Sequence, residues 1–298
     1  MGGGKVTLKS DVTKVMAGPG RAFAVVLLVA FVGAASAQQQ PEPARTGGPY
    51  VPTPQVVVDR MLSMASVGPD DYVIDLGSGD GVIVLTAAQQ FKARGLGVDI
   101  DPELVKLAND DAQRRGVADR ASFRVMDVFK TDLSRASVVT LYLLPEMMME
   151  LRPKIYLELK PGTRVVSHDY HFDDWRADDA VTFDAPEKEK VNGVPSATVY
   201  LWIVPARIAG HWMLAVDGGK RYDVTWRQNY QAVEGAARSA RRKVRLQEAV
   251  LRGDAVEFAL DEPGGRRLYR GRVEGDTMHG TVELARGKTA RWIAKRIS

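Results

Sequence analysis

The sequence predicts an α/β protein, with a doubly wound, mainly parallel sheet over residues 49–206 and a small antiparallel β domain, sandwich or barrel, over 207–298. Three observations predict it. Val73-Ile-Asp-Leu-Gly-Ser-Gly-Asp-Gly81 joins a short apolar run to three close glycines and then to a helical stretch. That is the pattern of a buried parallel strand turning sharply into a helix over a ligand. Apolar strand-like runs alternate with helix-periodic stretches between residues 57 and 168. From Pro205 onward the runs become short, evenly spaced and punctuated by glycine pairs, the texture of antiparallel sheets.

Composition sets the bounds. A chain of 298 residues, 45% apolar and 26% charged, is ordinary globular material long enough for two domains. It has no cysteine, which excludes disulfides, thiolate metal sites and cysteine nucleophiles. The net charge of +4 is unevenly spread. Residues 38–206 hold 18 Lys+Arg against 25 Asp+Glu, a net of −7, and residues 207–298 hold 19 against 11, a net of +8. An acidic catalytic region disfavours nucleic acid and favours cationic partners such as lysine side chains.

Residues 1–37 read as a membrane-directed signal. Lys5, Lys9, Lys14 and Arg21 precede the apolar run Ala22 to Ala35, and Ala35-Ser-Ala37 supplies a small-residue cleavage site. Membrane association through residues 22–35, or export, is the expected localisation. Residues 38–48 are polar with Pro and Gly and read as a linker. Thr53 is the expected N-cap and Pro54 the first residue of a helix to about 66, with Val57, Met61 and Met64 at helical spacing. Tyr50, in the loop ahead of that helix, is placed either to close over a ligand or simply to stiffen the helix entry.

The glycine turn is the candidate binding site. Asp75 precedes it and Asp99 ends the next strand, 22 residues after Gly77, where a carboxylate accepts hydrogen bonds from a ribose. The third glycine comes one place earlier than in the dinucleotide pattern G-x-G-x-x-G, so NAD is the lesser alternative. Pro102 opens a helix that Gly116 stops, and Ser122 to Val128 is the third strand, carrying Asp127. Val138 to Leu144 is the fourth, followed by Pro145 and the run Met147-Met-Met149 of a helix reaching about Leu159. That run suits core filling or an adaptable binding surface. The fifth strand, Arg164 to His168, leads into His168-Asp-Tyr-His-Phe-Asp-Asp-Trp175. Neighbours on an extended strand face opposite ways, so His168 and Asp169 are not expected to converge on a metal. Ala180 to Asp184 and Thr198 to Val204 close the sheet as an antiparallel pair, with Asn192-Gly193 as the turn signal. Seven further strands are expected: 212–216, 223–230, 244–251, 255–260, 267–273, 278–284 and 290–297.

Pro49-Tyr-Val-Pro-Thr53, Asp75-Leu-Gly-Ser-Gly-Asp-Gly81, Gly97-Val-Asp-Ile-Asp101, Tyr142-Leu-Leu-Pro145, Lys160-Pro-Gly-Thr-Arg-Val-Val-Ser-His168 and Asp173-Asp-Trp175 occur in order. The leading turn resembles motif I of class I S-adenosylmethionine (SAM) methyltransferases. The set resembles the family of the mitochondrial ATP synthase c-subunit and adenine nucleotide translocase lysine methyltransferases, with its bacterial relatives. The resemblance covers residues 49–206 and implies a seven-stranded, Rossmann-like sheet with SAM as cofactor. It implies that Asp75 faces the methionine end, that Asp99 holds the ribose and that Asp127 meets the adenine amino group. Gly77, Ser78, Gly79, Gly81, Ile100 and Val128 complete the cofactor set. It implies a protein-lysine acceptor on a small membrane protein. Tyr142, His168 and Asp169, at the strand ends, and Tyr50, as lid, are the residues expected to act on that acceptor. A small-molecule or lipid methyltransferase and an exported, non-enzymatic binding protein are the alternatives. Because SAM is held in the cytosol, methyl transfer requires a cytosolic active site whatever the fate of the leading segment.

Overall fold

The computed structural model describes residues 50–240, 242–262, 265–284 and 287–298. The signal-like segment 1–37 and the linker 38–48 lie outside the described residues. The first sheet has seven strands: β1 (Tyr72–Leu76), β2 (Arg94–Asp99), β3 (Ala121–Val125), β4 (Val138–Leu141), β5 (Arg164–His168), β6 (Asp179–Asp184) and β7 (Ser196–Ile203). Their order is β3-β2-β1-β4-β5-β7-β6. The first five run parallel, and β7 lies antiparallel between β5 and β6. The order reverses at β1, which pairs β2 on one side and β4 on the other. In open α/β sheets that reversal opens a crevice at the carboxyl ends of the strands.

Helices α1 (Gln55–Met64), α2 (Val82–Gln90), α3 (Pro102–Arg114), α4 (Pro145–Glu158) and α5 (Pro186–Asn192) accompany the sheet. Helix α1 buries Val57, Val58, Met61 and Leu62 against one sheet face, beside Val73, Val138 and Val166. Helix α4 buries Met148, Leu151 and Ile155 against the other, beside Leu76, Val139 and Val165. Two expectations change here. Pro54, not Thr53, is the N-cap of α1, with its carbonyl accepting from the N–H groups of Val57 and Val58. The Asn192-Gly193 signal is no hairpin turn. Asn192 ends the helix α5 and Gly193, at φ +76°, is its left-handed cap. Both uses exploit glycine's access to positive φ, so the dipeptide alone does not separate them.

Residues 210–296 form a closed antiparallel barrel of eight strands: β8 (Gly210–Val216), β9 (Arg221–Asn229), β10 (Ala232–Ser239), β11 (Arg242–Arg252), β12 (Ala255–Glu262), β13 (Gly265–Glu274), β14 (Thr277–Glu283) and β15 (Thr289–Arg296). The strand absent from the sequence expectation is β10. Its residues, Ala-Val-Glu-Gly-Ala-Ala-Arg-Ser, show no apolar alternation, and at Gly235 a neighbouring indole fills the side-chain space. A Cβ at Gly235 would stand 2.8 Å from the Trp226 ring and 2.7 Å from Leu246. The barrel interior is packed with aromatics: Phe258 stacks on Tyr269 at 4.9 Å and meets Trp226 and Trp292 edge-on.

Barrel and sheet meet closely. The Ala206 N–H donates to the Gly253 carbonyl at 2.8 Å, and a Cβ on Gly253 would stand 3.1 Å from the Gly162 Cα. Tyr230 stacks on Trp175 at 4.8 Å.

Candidate active site

The crevice at the reversal holds a cavity of about 270 Å³. Its floor is the turn after β1, where Gly77, Gly79 and Gly81 all have positive φ. The three glycines serve different ends. A Cβ at Gly77 would press on Leu143 at 2.7 Å, and one at Gly79 would enter the Tyr50 ring. A Cβ at Gly81 would meet Phe123 at 2.6 Å and Ala108 at 2.8 Å instead. Gly81 therefore serves the packing of α2 against α3 and β3, and does not line the cavity. Gly79 also sits behind the Tyr50 ring rather than in the cavity wall.

Three carboxylates define the electrostatics. Asp75, buried on β1, accepts from the Thr140 hydroxyl at 2.7 Å. Burial, with Asp99 and Asp80 nearby, pushes its carboxyl up to about 7. Asp99 at the end of β2 accepts from the Gly79 N–H at 2.9 Å through Oδ2 and from the Asp101 N–H at 3.0 Å through Oδ1. A carboxylate has about four acceptor positions, so Asp99 braces the glycine turn and keeps lone pairs for a ligand. Asp80 accepts from the Val82 N–H at 3.1 Å and contacts the Tyr50 hydroxyl, whose acidity is suppressed by burial and then by Asp80. Asp75, Asp80, Asp99, Asp101 and Asp127 line the cavity, and among the described residues no lysine, arginine or histidine does. Such a wall suits a cationic ligand.

Asp127 lines the cavity beside Ile100 and Val128, although β3 ends two residues before it. It caps the 3₁₀ turn 128–130, accepting from the Phe129 N–H at 2.9 Å. Ser78 also lies in the cavity wall.

On the opposite side stand Tyr142, Leu143, Leu144, Met147 and Tyr170. The methionine run divides: Met147 lines the cavity and Met148 is core. Tyr142 stacks on His168 at 4.0 Å and on Tyr170 at 6.2 Å. Burial pushes its hydroxyl up to about 12, and the Asn192 side chain hydrogen-bonds it. His168 and Asp169 lie behind Tyr142 and line no part of the cavity. This corrects the expectation that they act on the acceptor directly. His168 is 1% exposed, has no hydrogen-bond partner at either ring nitrogen, and burial pushes its pKa down to about 4. The two side chains are not opposed either. Asp169 takes φ +61°, which breaks the strand and brings its Oδ2 within 3.5 Å of His168 Nε2. Asp169 is committed elsewhere, accepting from the Thr198 N–H at 3.0 Å and pairing with the buried Lys188. Lys188 also donates to the Ser196 carbonyl at 2.6 Å. No group of three or more histidine and carboxylate side chains among the described residues is placed to hold a metal ion.

Sequence reasoning missed Asp80, Tyr170, Val51 and Thr53 as lining residues. Asp80 stood inside the glycine string and Tyr170 inside the histidine–aspartate string. A tight turn centred on Asp169, not any motif, brings Tyr170 back beside Tyr142: its N–H donates to the His168 carbonyl at 2.8 Å.

A family model described as the ANTKMT methyltransferase domain matches residues 75–179. A protein-lysine N-methyltransferase of Saccharolobus islandicus (strain REY15A) is 42% identical over 157 residues, which are 52% of this chain and 93% of that protein. The chain belongs to the SAM-dependent protein-lysine N-methyltransferases. An ATP synthase c-subunit lysine N-methyltransferase of Mus musculus is 35% identical over 133 residues, 44% of this chain and 52% of that protein. This methyltransferase thus spans about half the length of that relative. A solved structure described as an RNA methyltransferase from Salinibacter ruber in complex with S-adenosyl-L-homocysteine is 49% identical. It covers 53% of this chain and 96% of its own, at a TM-score of 0.48. The methyl donor is SAM, a sulfonium cation that supplies an electrophilic methyl group, and the basic-free, carboxylate-lined cavity of this methyltransferase fits that charge.

Proposed function

We propose that the chain methylates lysine side chains of a protein, with Asp75, Gly77, Asp99, Ile100, Asp127 and Val128 holding the donor and Tyr50, Tyr142 and Tyr170 framing the acceptor. The observation that carries this reading is the wall itself: carboxylates without a basic residue, under a mouth of tyrosines. A lysine ammonium is drawn to such a mouth by the carboxylate field and by the ring faces. It must then lose its proton, because free lysine has a pKa near 10.4, about 3 units above neutrality. Desolvation between the rings lowers that value. The Tyr50 and Tyr142 hydroxyls, held protonated by burial, serve as walls and hydrogen-bond partners, not as bases. The remaining acceleration comes from aligning the free amine with the methyl carbon at roughly 3–3.5 Å.

We place the acceptor on a small membrane protein, and the domain on the cytosolic side where SAM is available. The relatives named for the ATP synthase c-subunit and for the adenine nucleotide translocase support the first, and the apolar run 22–35 supports membrane attachment.

The test is transfer from methyl-tritiated SAM into separated membrane proteins, lipids and RNA, followed by mass spectrometry of the labelled fraction. Methyl groups on lysine of a membrane protein are expected. Label confined to lipid or RNA, with every lysine unmodified, rejects the reading.

A further inference from the structure

We infer that the end of the barrel remote from the methyltransferase sheet is a docking surface for the anionic phospholipid headgroups of a bilayer. In an antiparallel barrel, successive turns alternate between the two ends. The turns at 230–231, 253–254 and 275–276 share one end, and this end meets the sheet through Gly253 and Tyr230. The turns after β8, β10, β12 and β14 share the other.

The two ends differ sharply in charge. Among the described residues the remote turns, 217–221, 238–243, 261–267 and 283–288, carry eight basic residues against four acidic. The near turns read Asn229-Tyr-Gln-Ala232, Arg252-Gly-Asp-Ala255 and Glu274-Gly-Asp-Thr277, one basic against three acidic.

Pairing does not cancel the remote charge. Glu262 is sunk in the barrel with Lys220 and Arg267, and Arg266 pairs with Glu248. Arg221, Arg238, Arg242, Lys243 and Lys288 are exposed and ion-paired with no described residue. Arg238 stands directly across the β10–β11 ladder from Lys243, and like charges placed so destabilise a hairpin unless an external anion neutralises them. Asp223 lies opposite Arg238 on β9 without pairing to it.

The features select the anion. A bilayer is a planar sheet of phosphates, and attraction to it needs only clustered, exposed cations on one face. Single-stranded nucleic acid calls for exposed aromatic platforms as well. No tyrosine, phenylalanine or tryptophan is exposed among the described barrel residues. The same chain carries the apolar run 22–35 behind four basic residues, a second feature directed at lipid.

The test is co-sedimentation of the full chain with phosphatidylcholine vesicles, with and without phosphatidylglycerol, at low and high salt. Each exposed basic residue contributes roughly fivefold to partitioning onto an anionic surface. The triple variant Arg238→Ser, Arg242→Ser, Lys243→Ser should therefore lose about a hundredfold of the phosphatidylglycerol-dependent binding. Its binding to neutral vesicles and its SAM affinity should be unchanged. An unshifted barrel transition in differential scanning calorimetry, beside the unaltered SAM affinity, establishes that the variant is folded, and none of these readouts depends on the acceptor. Should Arg238→Glu at that same site also leave anionic-vesicle binding intact, the inference is overturned. So it is if the triple variant loses binding to an RNA oligomer or an acidic peptide but not to the vesicles.

Discussion

At the scale of the residue, two buried groups near the cavity have opposite proton linkages. Asp75 rises from 3.8 to about 7 on folding, chiefly by burial. Its contribution to stability is full below pH 3.8 and lost as pH rises towards 7. His168 falls from 6.5 to about 4, also by burial. Its contribution is full above pH 6.5 and lost as pH falls towards 4. Over the shared window the two slopes cancel. Asp75→Asn should leave a protein whose stability climbs with pH across that window, and His168→Gln one whose stability declines. Urea unfolding at a series of pH values reads both, and a common slope for the two variants would refute the assignment. Asp99 has a different signature because it holds the Gly79 N–H and keeps free lone pairs. Asp99→Ala should weaken SAM binding roughly tenfold or more, the worth of one or two hydrogen bonds to a charged acceptor. Calorimetry giving an unchanged affinity would remove Asp99 from the site.

At the scale of the element, the glycine turn separates binding from packing. Gly81→Ala forces a Cβ against Phe123 and Ala108 and should cost about 1–3 kcal/mol of stability, with SAM affinity kept in the folded fraction. Gly79→Ala pushes out the Tyr50 ring and should weaken SAM binding more than it lowers the melting temperature. Thermal melts and calorimetry on the pair distinguish them, and matching behaviour would count against this division. The same turn shows what was legible beforehand. The apolar run, the glycines and the carboxylates Asp75 and Asp99 lie within one short stretch, and their local chemistry is written there. The difference between Gly79 and Gly81 is not, since it depends on Tyr50 and Phe123 arriving from elsewhere in the chain. His168 and Asp169 looked catalytic for the same reason. Their residue types suited the chemistry, and only the stacking of Tyr142 in front of them showed that they support a wall. Strand β10 carries no apolar alternation to mark it, and its Gly235 yields to Trp226, a contact made across the β9–β10 ladder.

At the scale of the molecule, the barrel is a packed body with one buried charge cluster. Glu262 accepts from the Tyr222 hydroxyl at 2.6 Å and the Tyr269 hydroxyl at 3.2 Å, and pairs with Lys220 and Arg267. Hydrogen bonds to these partners outweigh burial and hold its carboxyl below the usual range, so its contribution is present above pH 4.5 and fades as pH falls. Glu262→Ala removes the shared carboxylate acceptor of the Tyr222 and Tyr269 hydroxyls, which keep only each other, and should destabilise the protein by about 1–3 kcal/mol. Differential scanning calorimetry would show a lower barrel transition, while SAM still protects the sheet. A transition unmoved by the variant would mean that the cluster is spectator to folding. The joint between the two bodies has a kinetic meaning. Gly253 backs onto Gly162, Ala206 bonds to Gly253, and Tyr230 lies flat on Trp175, so the joint is packed at each of these points. Barrel and sheet should share one rotational correlation time, and no described barrel residue lines the cavity, so parting them would not open it. Cofactor exchange then falls to the segment bearing Tyr50, whose release from Gly79 belongs to the nanosecond-to-microsecond motions of loops, not to the slower swinging of domains.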